Sequence, residues 1–113
     1  MLIVDDHARF RASARALLES TGFEVVGEAA AADEALRIAG ALRPEIVLLD
    51  VQLPGPDGFD VAERLHEDHG SPVVILISSR DAHTYGDRVQ RAPVAGFISK
   101  PLLSADAIRS LLE

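Results

Sequence analysis

The stretch Ile46-Val47-Leu48-Leu49-Asp50 decides the fold that this sequence predicts. Four apolar residues followed directly by a carboxylate are typical of a strand that is buried on both faces, as the strands of parallel sheets are. Asp50 falls where that strand should end. Because open α/β sheets bind their ligands just beyond the carboxyl ends of the strands, Asp50 is a candidate reactive or metal-binding carboxylate. The alternative is that Asp50 only terminates a strand.

The rest of the chain repeats this strand pattern and alternates it with helical patterns. Apolar runs predict strands at residues 2–4, 23–27, 46–50, 73–77 and 94–98, and helical spacing predicts helices at residues 8–20, 32–42, from about 58 to near 70, 82–91 and from 104 onward. Gly86 lies inside the fourth helix and costs about 1 kcal/mol relative to alanine, so this helix is predicted to be short or mobile. Alternating strands and helices predict one α/β domain with a five-stranded parallel sheet between two helical layers.

Composition narrows the class of protein. A length of 113 residues suits a single domain, and the absence of cysteine excludes disulfides and thiol chemistry. No apolar run approaches the roughly 18 residues of a membrane span, and no signal-peptide pattern is present, so we expect a cytoplasmic protein without a membrane partner. The formal net charge of −7 argues against binding of nucleic acid phosphates by this domain.

The residues that end the predicted strands carry the functional signal. They are Asp5 and Asp6 after the first strand, Asp50 after the third, Ser78-Ser79 after the fourth and Lys100 after the fifth. A strand order of 2-1-3-4-5 would make the first and third strands neighbours, about 5 Å apart, and would bring three carboxylates together. Carboxylates that close repel one another unless a cation lies among them, and Mg²⁺ suits such oxygen ligands.

Phosphoryl transfer is the chemistry that uses a metal ion, a lysine, a hydroxyl and a spare carboxylate together. The transferred group spreads negative charge over three oxygens, so catalysis consists mostly of positioning and charge neutralisation. Asp50 can act as the nucleophile and form an acyl phosphate. The cation, Lys100 and Ser78 would then each contact one phosphoryl oxygen.

Taken together, these motifs resemble the receiver domain of two-component response regulators over essentially the whole chain. The matching residues are Asp5-Asp6-His7, Leu48-Leu49-Asp50, Leu53-Pro54, Asp57-Gly58, Ile77-Ser78-Ser79 and Gly96-Phe97-Ile98-Ser99-Lys100-Pro101. The residues Asp5-Asp6-His7 and Phe10-Arg11, together with the sequence of residues 25–29, are similar to those of the nitrate-response and quorum-regulator branch of the family. The resemblance implies a flavodoxin-like fold and a receiver domain that covers residues 1–113.

The resemblance also implies a role for each matching residue. Asp50 would be the phosphoacceptor, and Asp5, Asp6, Asp50 and the backbone carbonyl of Gln52 would hold Mg²⁺, with Mn²⁺ as a substitute. Lys100 and Ser78 would contact the phosphoryl group, Phe97 would be the gating aromatic residue, and the bond before Pro101 would be cis, a state that only about 5% of X-Pro bonds adopt. Ser79 remains an alternative to Ser78, because counting forward from Pro72 shifts the alignment by one residue.

The function implied is a signalling switch rather than an enzyme with a diffusible substrate. A sensor histidine kinase or a phosphotransfer protein would phosphorylate Asp50, the domain would catalyse only its own phosphorylation and slow dephosphorylation, and a protein-interaction face around the fourth and fifth helices would change. Its downstream protein target is unknown, and a homodimer linked to phosphorylation is one output. We expect a stand-alone regulator; the alternative is a receiver fragment of a DNA-binding transcriptional regulator.

The sequence argues against one other class of protein and suggests roles for several further residues. A small-molecule phosphohydrolase would need a second aspartate two residues after the nucleophile, where this chain has Gln52. Gln52 and Arg80 flank the site and are expected to tune hydrolysis of the phosphate. His7 could be a ligand but is better explained as a polar residue at a helix start. The arginines of the first helix, Arg9, Arg11 and Arg15, are either a solvated face or part of a kinase-docking surface.

Overall fold

The computed structural model describes residues 1–68 and 72–113 and contains a five-stranded parallel sheet of order β2-β1-β3-β4-β5. The strands are β1 (Leu2–Val4), β2 (Gly27–Ala29), β3 (Ile46–Asp50), β4 (Val73–Ser78) and β5 (Gly96–Ser99). The helices are α1 (Ala8–Ser20), α2 (Ala32–Leu42), α3 (Gly58–Asp68), α4 (Arg88–Arg91) and α5 (Ala105–Leu112). Two 3₁₀ segments, Ala82–Tyr85 and Lys100–Leu102, complete the described elements. The predicted α/β fold and strand order are therefore confirmed.

Two hydrophobic clusters, one on each face of the sheet, form the core. Alternation along the central strands decides which cluster a side chain joins: Val47 and Leu49 of β3 lie in one, and Leu48 lies in the other. The first cluster packs against α2, α3 and the segment between β4 and β5, whereas the second packs against α1 and α5. Within the described residues, no helix has the length and apolar character needed to cross a membrane.

The second strand lies further along the chain than predicted. Pairing begins where the Val26 amide donates to the Met1 carbonyl (2.9 Å), and the ladder then aligns Leu2 with Gly27. The predicted run at residues 23–27 was wrong because its apolar side chains, such as the buried Val25, fill the second cluster without joining the sheet. The strand instead begins at Gly27, the last residue of the predicted run, where a Cβ would lie 3.3 Å from Ile38 of α2.

The segment between β4 and β5 is less regular than the other connections. The predicted helix over residues 82–91 is divided into the 3₁₀ turn and the four-residue α4, with Gly86 between them at a φ of 60°. The prediction that this helix is short is confirmed. β5 also begins later than predicted, at Gly96, because Val94 turns back to donate to the Ala92 carbonyl. The predicted end of α3 near Gly70 falls outside the described residues.

Local sequence explains how the other helices begin. The Asp60 amide donates to Asp57 Oδ1 (3.0 Å), and the Asp57 amide donates to Asp60 Oδ2 (3.1 Å), so the two residues cap α3 reciprocally. Ser104 caps α5 by accepting from the Ala107 amide (3.0 Å). Each cap contributes on the order of 1 kcal/mol to the stability of its helix.

Candidate functional site

Asp50 ends β3 inside the domain and is only 2% exposed. Its Oδ1 accepts a hydrogen bond from the Gln52 amide (3.2 Å). The pKa of Asp50 is raised to about 6, mainly by burial and also by the neighbouring charge of Asp5, whereas Lys100 and the Gln52 amide oppose the shift. A carboxylate held in this state is poised to gain a cation or to react.

Asp5 and Asp6 lie beside Asp50 because β1 and β3 are neighbours. The register pairs Val4 with Leu49, which places the next residue of each strand, Asp5 and Asp50, at the same edge. Asp5 is fully buried and its Oδ1 accepts a hydrogen bond from the His7 amide (2.8 Å), whereas Asp6 is exposed. The sequence prediction that the first and third strands bring these carboxylates together is therefore reproduced by the geometry.

Lys100 reaches this group of carboxylates from the end of β5. Its Nζ lies 2.6 Å from Asp5 Oδ2 and 3.4 Å from Asp50 Oδ2, and 4.5 Å from the centre of the Phe10 ring. The short contact to Asp5 is an ion pair rather than a hydrogen bond. Asp5 Oδ2 is in fact the buried side-chain oxygen that lacks a hydrogen-bond partner among the described residues. One ammonium thus faces two buried carboxylates, which leaves negative charge for a further cation.

The donor set fits a divalent cation. One ligand atom from each of Asp5, Asp6, His7 and Asp50 lies within 4.8 Å of the others. Two buried carboxylates, one of them with an oxygen that lacks a hydrogen bond, and an exposed carboxylate at the solvent side match the oxygen-rich and partly hydrated surroundings of Mg²⁺. The Gln52 backbone carbonyl stays a prediction as a further ligand.

The hydroxyl predicted to contact the phosphoryl group is better placed at Ser78 than at Ser79. Ser78 is fully buried, whereas Ser79 is exposed. Ser78 Oγ lies 2.6 Å from the Tyr85 hydroxyl and accepts a hydrogen bond from the Arg80 amide (3.0 Å). Because β3 pairs Asp50 with Ile77, Ser78 is the next residue along β4 and lies at the same edge of the sheet as Asp50.

Tyr85 is a functional candidate that the sequence did not reveal. Its ring lies between two phenylalanines, with ring centroids 5.7 Å from Phe59 and 6.0 Å from Phe97. Its hydroxyl reaches the buried Ser78, so the residue joins the candidate site to the β4–β5 segment. A single aromatic residue inside a weak helical pattern gives no signal for such a contact. Phe97, the predicted gate, is half-buried, and its ring packs against the Tyr85 ring.

The predicted cis bond before Pro101 is wrong, since no cis peptide bond occurs among the described residues. Lys100–Leu102 form one 3₁₀ turn that the Leu103 amide closes by donating to the Lys100 carbonyl (3.1 Å). With Ser99 extended (φ −67°, ψ 135°), this turn follows β5 directly on a trans bond, and Lys100 still reaches the carboxylates.

Gly58 and Arg11 also shape the site. Gly58 passes so close to the strand end that a Cβ there would lie 2.4 Å from the Asp50 carbonyl oxygen and 2.8 Å from Val51 Cα. Arg11 donates to the Asp5 carbonyl oxygen (2.5 Å) and pairs with Glu28 of β2 (3.1 Å). Arg11 therefore contacts the protein interior, and the alternative of a wholly solvated arginine face is not met at this position.

The chain matches known proteins along its whole length. The family model of the response regulator receiver domain matches residues 1–113. The DNA-binding transcriptional activator EvgA of Escherichia coli is 34% identical over 99 residues, which cover 88% of this chain and 48% of EvgA. The transcriptional regulatory protein PdtaR of Mycobacterium tuberculosis is 33% identical over 114 residues, which cover 98% of this chain and 54% of PdtaR. The chain thus spans about half the length of these curated relatives.

A solved structure agrees with the sequence matches. The two-component response regulator of the LuxR family from an Aurantimonas species superposes with a TM-score of 0.89 at 30% identity, over 98% of this chain and 82% of that one. The chain belongs to the response regulator receiver domain family of two-component systems. The LuxR-family name of the Aurantimonas structure, and that of a similar structure, the receiver domain of the putative response regulator NarL from Mycobacterium tuberculosis (35% identity, TM-score 0.81, over 98% of this chain and 90% of that one), agree with the branch that the sequence motifs indicated.

Proposed function

We propose that Asp50 is the phosphoacceptor of this receiver domain and that its phosphorylation switches a protein-interaction face. The observation that supports the proposal best is the buried Asp50 carboxylate with Lys100 Nζ 3.4 Å from its Oδ2 and Asp5 beside it. A buried carboxylate flanked by one ammonium and by a second carboxylate suits a nucleophile whose product is a charged phosphoryl group.

The transfer would exchange one bond for another at phosphorus. A carboxylate oxygen of Asp50 attacks the phosphorus of a phosphohistidine on a histidine kinase or phosphotransfer protein, and the P–N bond breaks with its electron pair returning to the imidazole. Bound Mg²⁺ would supply charge neutralisation for the phosphoryl oxygens. Lys100 would pair with one of these oxygens, and the Ser78 hydroxyl would donate to another. The same residues would support slow hydrolysis of the acyl phosphate.

The structure of the site supports a link between phosphorylation and the β4–β5 segment. Ser78 Oγ is 2.6 Å from the Tyr85 hydroxyl, so a phosphoryl oxygen at Asp50 would compete with Tyr85 for the Ser78 hydroxyl. Loss of that contact would free Tyr85 and its neighbours Phe59 and Phe97 to repack. A change of the exposed face around α4, β5 and α5 would be the signal that a protein target reads, whether that target is another protein or a second copy.

Phosphorylation with a small donor tests the proposal. Incubation with acetyl phosphate and Mg²⁺ should add one phosphoryl group to the intact mass of the wild-type protein, and none without Mg²⁺. Asp50→Asn should take up no phosphoryl group, whereas Asp106→Asn, whose side chain is fully exposed on α5, should behave like the wild type. An adduct of equal yield on Asp50→Asn would refute the assignment of the phosphoacceptor.

The downstream output has two candidates. The sequence alone favoured a stand-alone regulator in the cytoplasm. The names of the relatives favour the receiver part of a transcriptional regulator, since EvgA is a DNA-binding transcriptional activator and the match covers 48% of its length. The mass of the native protein, captured from its own host with an antibody to this domain, separates the two. A mass of 12.1 kDa would support the stand-alone form, and a mass about twice as large would support the transcriptional regulator.

A further inference from the structure

Three consecutive side chains converge where β1 ends. His7 Nδ1 lies 3.1 Å from Asp5 Oδ1 and 3.2 Å from Asp6 Oδ1. Ligand atoms on adjacent vertices of an octahedron with metal bonds near 2.1 Å lie about 3.0 Å apart. The imidazole nitrogen is therefore spaced from each of the two carboxylate oxygens as neighbouring ligands of one cation are. Lys100 Nζ, 2.6 Å from Asp5 Oδ2 and 3.4 Å from Asp50 Oδ2, faces two buried carboxylates, and Asp6 adds a third beside them, so the carboxylates outnumber the nearby ammonium.

The His7 ring is a hydrogen-bond partner of Asp5 Oδ1 (3.1 Å), a contact that a cation bound to both groups would replace. His7 is the N-cap residue of α1, but its side chain makes no capping hydrogen bond. Asp5 Oδ1 already accepts the His7 backbone amide (2.8 Å), so this carboxylate does not depend on the imidazole as a donor. The His7 side chain is 67% exposed, so a cation can reach it from solvent. A neutral imidazole nitrogen beside two carboxylates is then available to a cation.

We propose that His7 is a third protein ligand of the cation site, through Nδ1, and that this site prefers a first-row transition cation such as Mn²⁺ to Mg²⁺. The preference follows from ligand chemistry: Mg²⁺ selects oxygen ligands, whereas first-row cations also bind imidazole nitrogen. The inference rests on the proposed function, because it concerns the same site that prepares Asp50 for the phosphoryl group. It adds a ligand and a cation class that the acidic residues alone do not imply.

The test measures the ligand directly, with Mn²⁺ as the probe. Pulsed electron paramagnetic resonance of the Mn²⁺-bound full chain should show coupling to one ¹⁴N nucleus, which is lost in His7→Gln. Titration followed by the signal of free Mn²⁺ should show that His7→Gln weakens Mn²⁺ binding about ten-fold or more, the scale typical of a lost metal-site interaction. Mg²⁺ binding, measured by competition, should change less than about two-fold. His83→Gln, at an exposed histidine elsewhere in the chain, is the matched control and should leave every measurement unchanged.

Each remaining outcome overturns either this inference or the proposed function. Mn²⁺ binding without ¹⁴N coupling, or equal Mn²⁺ affinity in wild type and His7→Gln, would refute ligation by His7 and leave phosphorylation at Asp50 intact. Retained ¹⁴N coupling in His7→Gln would assign the nitrogen to another residue. If the wild type bound neither cation and took no phosphoryl group from acetyl phosphate, the proposed function itself would fail. Circular dichroism of each variant serves as the folding control, because an unfolded chain would also lose Mn²⁺ binding and the ¹⁴N coupling.

Discussion

The two halves of the sheet's carboxyl edge are built differently. On one side, Asp5 and Asp50 follow strands whose other residues are almost entirely buried, and Lys100 contacts both carboxylates. On the other side, the β4–β5 segment (residues 79–95) consists of a 3₁₀ turn and a four-residue helix, neither of which contains a buried residue. The candidate site is thus carried by buried strands, whereas the neighbouring β4–β5 segment is weakly packed. Segments that move in signalling are drawn from such regions of low local stability.

The two halves meet at a few specific contacts. The Ser78–Tyr85 hydrogen bond is one, and Arg88 provides another, since it lies 4.2 Å from the centre of the Phe59 ring and 3.2 Å from Asp57 at the start of α3. These contacts hold the β4–β5 segment against the first hydrophobic cluster. We call the edge formed by Asp5, Asp50 and Lys100 the strand side and residues 79–95 the segment side. Substitutions on the strand side are expected to change stability strongly, and those on the segment side to have small, local effects.

The largest effect is expected from glycine replacement beside Asp50. In Gly58→Ala the added Cβ would collide with the Asp50 carbonyl oxygen and with Val51 Cα, so the backbone must shift, and we expect a loss of about 2–4 kcal/mol in the free energy of unfolding. The matched change on the segment side is Gly86→Ala, where nothing lies within 4 Å and only the positive φ opposes a side chain. Its expected cost is about 1–2 kcal/mol. Urea denaturation measures both, and an equal loss in the two variants would contradict the comparison.

A smaller effect is expected from the charge of Asp50, through pH. The folded-state pKa of Asp50 is raised from 3.8 to about 6, so its contribution to stability is fully present below about pH 4 and is lost as the pH rises through 6. Without divalent cations, Asp50→Asn should therefore gain stability relative to the wild type between about pH 4 and pH 7.5, by about 1–3 kcal/mol. Urea denaturation in EDTA measures this difference.

Divalent cation supplies the control for this pH effect. Adding Mg²⁺ at neutral pH should stabilise the wild type more than Asp50→Asn, because a cation favours the ionised carboxylate. If the difference in the free energy of unfolding between the two proteins stayed constant across this pH range, ionisation of Asp50 would not destabilise the folded protein.

The smallest effect is expected at the contact between the two halves. Tyr85→Phe removes the hydroxyl that lies 2.6 Å from Ser78 Oγ but keeps the ring between Phe59 and Phe97. We expect a loss of about 1 kcal/mol and faster amide hydrogen exchange confined to residues 79–95. Thr84→Val, at the exposed neighbouring residue, should leave exchange unchanged. Faster exchange in β1 or β3 of Tyr85→Phe would show that the two halves are not separable.

The strand side was the predictable part of the molecule. An apolar run followed by Asp50, and another followed by Asp5, specify buried strands and their final carboxylates locally, and the strand order then brings them together. Lys100 could be placed for the same reason, since it follows the last strand. For the hydroxyl predicted to contact the phosphoryl group, the sequence offered two neighbouring candidates, Ser78 and Ser79. The burial of Ser78 distinguishes it from Ser79 in the structure.

What the sequence missed depends on contacts between distant parts of the chain. Val25 looks like a strand residue but packs beneath the sheet, because pairing with β1 starts only at Val26 and Met1. The role of Tyr85 depends on a contact across the β4–β5 segment, and that of Gly58 depends on how closely the loop passes Asp50. No periodicity or spacing carries such information. The trans bond before Pro101 likewise follows from the 3₁₀ turn formed after β5.

The central claim is that a phosphoryl group at Asp50 acts on the β4–β5 segment through Ser78 and Tyr85. Hydrogen exchange followed by mass spectrometry, with and without the phosphoryl mimic beryllofluoride and Mg²⁺, tests it most directly, with ¹⁹F resonance verifying that the mimic is bound. The account predicts altered exchange in residues 79–95, unchanged exchange in β1 and β3 except where they end at the site, and no change at all in Asp50→Asn. Bound beryllofluoride with unaltered exchange in residues 79–95 would contradict it.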